Sequence, residues 1–470
     1  MKLPNYDISA EYGVRRRDYM KTWAYNSTLE CWCIEDVVYT KNAVIPQAQR
    51  LSVFVPKAYL TDAGNINPLG QCGRYTAQDA PVIFENNAAG YSEMPNTHPG
   101  ETRFFAEPYL KRGMVYVTCG CRGRGSRNGS GKSPMTLIDF KTAIRYLRHF
   151  SRDIPGDWDR IVSVGFSAGG AMSALLAVTG NHPDYDAYLR ENGAYMDESD
   201  SVFAAQIYCP IIDLEHADMA YEWQFGIDPQ NEESYAGPAE TMTPFKHALS
   251  KKLSNMYVDY INGLNLHNPQ TGESLTLGCD GRSGSFYELN MQRLQNAARL
   301  CSAAEPVDLD EDVLHRRRRM KSCPAFDRLD KKSGENELFG TERCNVSHFS
   351  KAVGEAVESL AADFPREVLA LKGGWDNIGD DNFKNRVHLI NPLDYIYDER
   401  GEKAKHYRIR VGADDADTAF SVSMTLALML QNANLGTVDD ALVWNQPHCE
   451  ADLPGEIQDW IGHLFEAADE

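Results

Sequence analysis

Gly165-Phe166-Ser167-Ala168-Gly169 sets one serine between glycines, where an apolar run meets a stretch of small residues. The G-x-S-x-G spacing suits a serine held on a sharp strand-to-helix turn, its hydroxyl free to attack a carbonyl. Gly165, Gly169 and Gly170 let such a turn close where backbones approach, and Ala168, Ala171 and Ala174 let a helix lie against a sheet. The Ala168 amide, at a helix N-terminus, would face a developing oxyanion. The competing reading is a strand, a tight turn and a buried helix with an incidental serine. The apolar run before the motif and the small residues after it favour the nucleophile.

A neutral serine hydroxyl attacks poorly, so a base and an acid that orients it must be found. In α/β-hydrolases the chain order is Ser, then Asp or Glu, then His, each after a strand. Two late histidines follow the strand-like "ALVWN" (441–445): His448 on the turn just beyond it, and His463 inside an amphipathic helical pattern. His448 is the better base. For the acid, "YRIRVGADDAD" offers Asp414, Asp415 and Asp417 at one strand end. The Gly-x-x-Asp spacing favours Asp415, although all three would also serve as caps for a helix starting near Thr418. A second oxyanion donor is sought in the loop after an early strand, and "FENNAAGY" (84–91) offers Gly90, with a plain turn as the equal alternative.

Three other stretches imitate functional motifs. "SRNGSGKS" (126–133) resembles a phosphate loop, but Ser126 stands where the first glycine belongs and Pro134 interrupts the helix start. It reads as a flexible, basic surface or active-site loop. Glu215, His216 and Asp218 in "LEHADMAYEW" lack further histidines at ligand spacing, so no metal is expected. Cys449 directly follows His448. A disulfide stapling the base to the nucleophile would need a cysteine before the serine, and Phe166 stands there.

The elements that must position these residues are legible as short apolar runs at 51–55, 81–84, 114–118, 160–166 and 202–208, with the β-branched content of buried strands. Between two of them, Leu137, Phe140, Ile144 and Leu147 recur three or four apart and predict a helix with one apolar face. Such alternation predicts a mostly parallel sheet covered on both faces. From about residue 216 the chain turns polar and turn-rich, and the alternation returns at 407–413, 418–433, 441–445 and 456–467. The expected organisation is an α/β core from residues 1–215 and 396–470, interrupted by an inserted lid domain over 216–395.

The 470 residues carry a net charge of −20, from 47 basic and 67 acidic side chains, which disfavours nucleic acid and anionic membranes as partners. The one basic run, "HRRRRM" (315–320), reads as a solvated helix face. No apolar stretch reaches membrane-spanning length, and the first twenty residues lack the apolar centre of a secretory signal, so a cytoplasmic protein is expected. Eleven cysteines without a disulfide rhythm read mostly as reduced, buried small hydrophobes.

Beyond the elbow, the stretches "RYLRHFSRDIPGDWDRI", "YCPIIDLEHADMAYEWQF", "RMKSCPAFD", "GENELFG", "INPLDYI" and "HYRIRVGADDADTAF" resemble the bacterial tannases from about residue 45 to the C-terminus. The resemblance implies an α/β-hydrolase fold and a serine esterase that needs no cofactor or metal. It implies a triad of Ser167, Asp415 and His448, and an oxyanion hole from the amides of Gly90 and Ala168. It further implies that Lys321, Glu335 and Asp417 contact the hydroxyls of a galloyl ring, with the insert shaping the pocket. The expected substrates are galloyl esters and depsides of hydrolysable tannins and simple gallate esters, releasing gallic acid. The alternatives are a feruloyl or other aryl esterase of the same fold, and a catalytically silent binding protein. Phe166 before the serine, Asp414 beside the acid and Ala416 after it depart from the family pattern.

Overall fold

A computed structural model describes residues 23–97, 99–226, 242–301, 319–341, 343–449 and 451–467. Among these, nine strands form one sheet: β1 (Ala24–Asn26), β2 (Cys31–Val38), β3 (Arg50–Pro56), β4 (Val82–Asn86), β5 (Val115–Cys119), β6 (Ile161–Phe166), β7 (Ala204–Tyr208), β8 (His406–Gly412) and β9 (Thr437–Val443). Their spatial order is β1-β2-β3-β5-β4-β6-β7-β8-β9. The first three pair antiparallel, as does β3 with β5, and every later neighbour is parallel. Apart from the edge strand β9, the parallel strands are almost wholly buried, as helices on both faces demand. This is the mostly parallel α/β-hydrolase sheet that the sequence predicts.

Two differences from the sequence reading have a physical cause. β2 is split by two carboxylates: in Cys31–Val38 the pairing shifts between Ile34 and Val37, and Glu35 and Asp36 interrupt the apolar residues on either side. β9 starts four residues before the apolar "ALVWN". It is the sheet's edge, and an edge strand tolerates polar residues. Asp439 there receives the buried Arg410 guanidinium at 2.8 Å.

Helix α1 (Pro99–Lys111) follows β4, and α2 (Met135–His149) follows β5. The four apolar residues that predict α2 are fully buried, but so are Asp139, Lys141 and Arg145 on its other faces. These charges survive burial because each is paired. Arg122 holds Asp139 at 2.7 Å, and Asp200 holds Lys141 at 2.8 Å and Arg145 at 2.6 Å. Helix α3 (Ala168–Val178) follows β6 and runs buried along its whole length.

Between β7 and β8 lies a largely helical stretch that includes α4 (Leu214–Phe225), α5 (Pro244–Gly263), α6 (Ser285–Cys301), α7 (Gly334–Leu338) and α8 (Lys351–Ser359). The chain then closes the sheet with α9 (Phe420–Asn432) between β8 and β9, and α10 (Glu456–Ala467) after β9. Most of the basic run, 315–318, lies outside the described residues, as do residues 1–22 and most of the polar stretch after α4. Arg319 is described, and it does not lie on a solvated face. It is buried, with its guanidinium clamped on the Glu222 carboxylate. No described helix is long and apolar enough to cross a membrane.

Candidate active site

Ser167 stands at the junction of β6 and α3 with φ +59° and ψ −121°, a backbone conformation costly for a residue with a side chain. The surroundings enforce it. Ser167 donates its N–H to Tyr208 O (3.1 Å), while its carbonyl accepts from Ala171 (3.0 Å) and Ile211 (3.2 Å). A Cβ at Gly165 would lie 2.1 Å from Gly169 O, and one at Gly170 would lie 2.3 Å from Tyr208 O. The glycines around the serine are therefore required by contact with neighbouring backbone. Phe166, the departure from the family pattern, stacks on Tyr208 with ring centroids 4.5 Å apart.

The ends of β8 and β9 bring Asp415 and His448 together. His448 Nδ1 lies 2.8 Å from Asp415 Oδ2. The other oxygen, Oδ1, accepts the N–H groups of Asp417 (2.8 Å) and Thr418 (3.2 Å). One buried carboxylate thus both orders its own turn and meets the imidazole, while helix α9 begins later, after Ala419. The two loops are docked by Gly412, where a Cβ would lie 2.1 Å from Gln446 O, and by Asp414 N–H to Gln446 O (2.9 Å). Burial disfavours the charged imidazole, but Asp415 and then Cys449 outweigh it and hold His448 above its ordinary value.

Of the residues implied as ring contacts, Lys321 and Asp417 are close: Nζ and Oδ1 lie 3.7 Å apart, with Nζ also 4.2 Å from the Phe326 ring centroid. Tyr221 ties their two segments together, donating to Ala416 O (2.7 Å) and accepting the Lys321 N–H (3.2 Å). Glu335 opens α7 and belongs to a second group around Gly90. Gly90 is exposed with φ +57°, and its carbonyl accepts from Arg124 Nε at 2.6 Å. The same guanidinium lies 3.3 Å from Glu337 and packs on Gly334, where a Cβ would lie 2.7 Å from Nε. Arg124 therefore joins the Gly90 loop to the turn that carries Glu335. The Glu335 charge, after burial, helps raise the neighbouring Tyr91 hydroxyl well above its ordinary value.

One sequence reading changes. The 126–133 loop is pinned: Lys132 is buried, with Nζ donating to Glu337 O (2.7 Å), Asn345 O (3.0 Å) and Asn345 Oδ1 (2.7 Å). Lys132 thus holds the α7 segment in place, while Arg127 donates to Val44 O (2.5 Å). In "LEHADMAYEW", Asp218 and His216 engage neighbouring protein groups. Asp218 accepts the N–H groups of Ala325, Phe326 and Asp327 at 2.6, 2.8 and 2.9 Å, and His216 pairs with Asp213 at 2.7 Å. Arg124 has only the glycine-rich, basic "CGCRGRG" as a local signal, and Tyr221 and Asp218 lie in "LEHADMAYEW", whose residues suggest a metal rather than these backbone ties.

Residues 81–252 match a family model described as BD-FAE, a family of the α/β-hydrolase fold. The comparison with curated proteins found no match. Among solved structures, the tannase from Lactobacillus plantarum superimposes with a TM-score of 0.78 at 32% identity, over 92% of this chain and 94% of that one. The tannase of Fusobacterium nucleatum does so with 0.75 at 30%, over 93% and 95%. A tannin acyl hydrolase in complex with ethyl gallate gives 0.78 at 33%, over 92% and 94%.

Proposed function

The chain belongs to the bacterial tannases, carboxylic ester hydrolases of the α/β-hydrolase fold, and from that premise we propose that it cleaves galloyl esters through Ser167, His448 and Asp415. The observation that carries this reading is the 2.8 Å contact between His448 Nδ1 and Asp415 Oδ2, at the sheet end where Ser167 sits on its strained turn. His448 Nε2 takes the Ser167 proton as the seryl oxygen adds to the ester carbonyl. The amides of Ala168 and Gly90 receive the oxyanion, and the imidazolium, held by Asp415, then protonates the departing alcohol. Water repeats the sequence on the acyl-enzyme, and gallate leaves.

Residues 216–395 act as a lid that presents Lys321 and Glu335, while Asp417 comes from the acid loop itself. An ammonium and two carboxylates suit a ring with three adjacent hydroxyls, since charged partners make strong hydrogen bonds and a pocket built for hydroxyls rejects rings that lack them. The ethyl gallate bound by a relative supports the same substrate class.

The test is turnover of methyl gallate beside methyl ferulate, with Ser167→Ala as control. Gallate release that exceeds ferulate release and vanishes in the variant upholds the reading. Ferulate hydrolysis at an equal or greater rate discards the galloyl pocket but keeps the triad. Activity that survives in Ser167→Ala discards the triad.

A further inference from the structure

Beside the triad lies a group that the ester chemistry does not use. Cys209, one residue past the end of β7, and Cys449, directly after His448, are 240 positions apart in sequence, and their sulfurs meet at 3.5 Å. Both residues adopt left-handed backbone, with φ +38° and +68°. A nitrogen of His448 joins them, and the three donor atoms lie within 4.8 Å of one another. Cys209 is buried, whereas Cys449 and His448 are half-buried.

We propose that Cys209, Cys449 and His448 form a binding site for a thiophilic divalent cation, Zn2+, whose occupancy shuts the esterase off. The donor set is two thiolates and one imidazole, which soft and borderline cations prefer to the oxygen ligands that suit magnesium or calcium. The spacing suits it as well. Zn–S bonds of about 2.3 Å at a tetrahedral angle separate two sulfurs by about 3.8 Å, so the sulfurs need part only by a few tenths of an ångström. As the two Zn–S bonds form, each thiol releases its proton to water, and a fourth position remains for a water molecule. Asp415 on His448 supplies the carboxylate that commonly orients a metal-bound imidazole. A histidine whose lone pair is held by zinc cannot take the serine proton. The inhibition therefore rests on His448 being the general base, whereas the metal binding does not.

The experiment uses the whole enzyme in a phosphine reductant, which keeps the thiols unpaired. Methyl gallate turnover is followed as Zn2+ is added and then removed with EDTA. In parallel, Cd2+ is titrated and its thiolate charge-transfer absorption is recorded in the ultraviolet. The expected result is saturable inhibition reversed by EDTA, together with a Cd2+ band that is complete at one equivalent. In Cys209→Ser and, separately, Cys449→Ser, the band should vanish. The half-inhibiting Zn2+ concentration, measured against each variant's own metal-free rate, should rise more than about tenfold, since losing even an outer partner costs that much. No band in the wild type, or equal inhibition of wild type and both variants, overturns the site. A band without loss of turnover upholds the site and removes His448 as the base. Thermal unfolding of each variant without metal identifies any that fails to fold, and the other serine variant then decides.

Discussion

The sheet core and the segment inserted between β7 and β8 hold their candidate functional residues by different means. In the core, position is set by backbone. Ser167, Asp415 and His448 sit at ends of parallel strands, and glycines at 165, 170 and 412 bring neighbouring chains closer than any side chain would allow. In the insert, position is set by buried carboxylates acting as hubs. Asp218 gathers three successive N–H groups of 325–327. Asp327 receives His348 (2.6 Å), the Trp375 indole (2.9 Å), the Asn336 amide (2.7 Å) and the N–H groups of Phe349 (3.2 Å) and Ser350 (3.0 Å). A sheet edge is a rigid, repeating frame, while irregular chain must be tied polar group by polar group. On the proposed reading, the triad is thus placed on the stiffer frame, and Lys321 and Glu335 on one that tolerates variation.

The largest expected effect tests the core. Asp415→Asn keeps the shape but offers His448 the wrong partner, and kcat should fall on the order of 10⁴-fold with little change in KM. Steady-state kinetics on methyl gallate and on a small activated ester should show the same loss. A loss confined to gallate would break the division between the regions.

Next comes the hub. Asp327→Ala leaves a buried histidine, an indole N–H and two backbone N–H groups without their acceptor, and should cost roughly 3–5 kcal/mol in urea unfolding. Below the unfolding transition, gallate KM should rise while the small activated ester still turns over. Parallel loss of both would mean that the insert also positions the triad.

Lys321→Met sharpens the comparison without unfolding anything, because Lys321 is partly exposed and its chain packs on Phe326. Losing one charged hydrogen-bond partner should reduce the gallate-over-ferulate preference by about 10- to 100-fold, or roughly 1.5–3 kcal/mol. An unchanged preference would remove Lys321 from ring recognition.

The smallest effect sits at the joint of the two regions. Asp213, five residues past β7, pairs with His216 at the start of α4, and also accepts from Tyr260 (2.5 Å). Burial works against the imidazolium, but Asp213 outweighs it and raises His216 from 6.5 to about 9. A folded-state value above the unfolded one stabilises the fold fully below about pH 6.5, and that contribution is lost as pH rises through about 9. The Tm difference between wild type and His216→Asn should therefore shrink across that window. A constant difference would rule out the charged pair.

The two regions are also unequally legible. Around Ser167 the residue types are forced by local geometry, so Gly165, Gly169 and Gly170 announce the turn once the apolar run before them and the small residues after them are read with it. The spacing Gly412-Ala413-Asp414-Asp415 favours Asp415 as the candidate acid but does not by itself separate it from Asp414 and Asp417. β2 stays hidden because two carboxylates at its irregular pairing interrupt its apolar residues, and only the inner end of β9 is visible because an edge strand need not be apolar. Lys321 and Glu335 look like ordinary surface charge, and only the resemblance to a family raises them. Arg124 and the buried Arg319 carry no periodicity, since one side chain meeting one distant carbonyl or carboxylate leaves no repeat to read.

By itself, then, the sequence determined the fold class, the strand-turn-helix that displays Ser167, and the chain order of the candidate nucleophile, acid and base. Each depends on periodicity or on a steric demand satisfied within a few neighbouring residues. Only the tertiary structure decided which of three aspartates meets His448, that Arg124 ties Gly90 to the Glu335 turn, and that Cys449 faces Cys209. Those pairings join residues far apart in the chain, and their energy comes from two groups meeting across space, which local pattern does not encode.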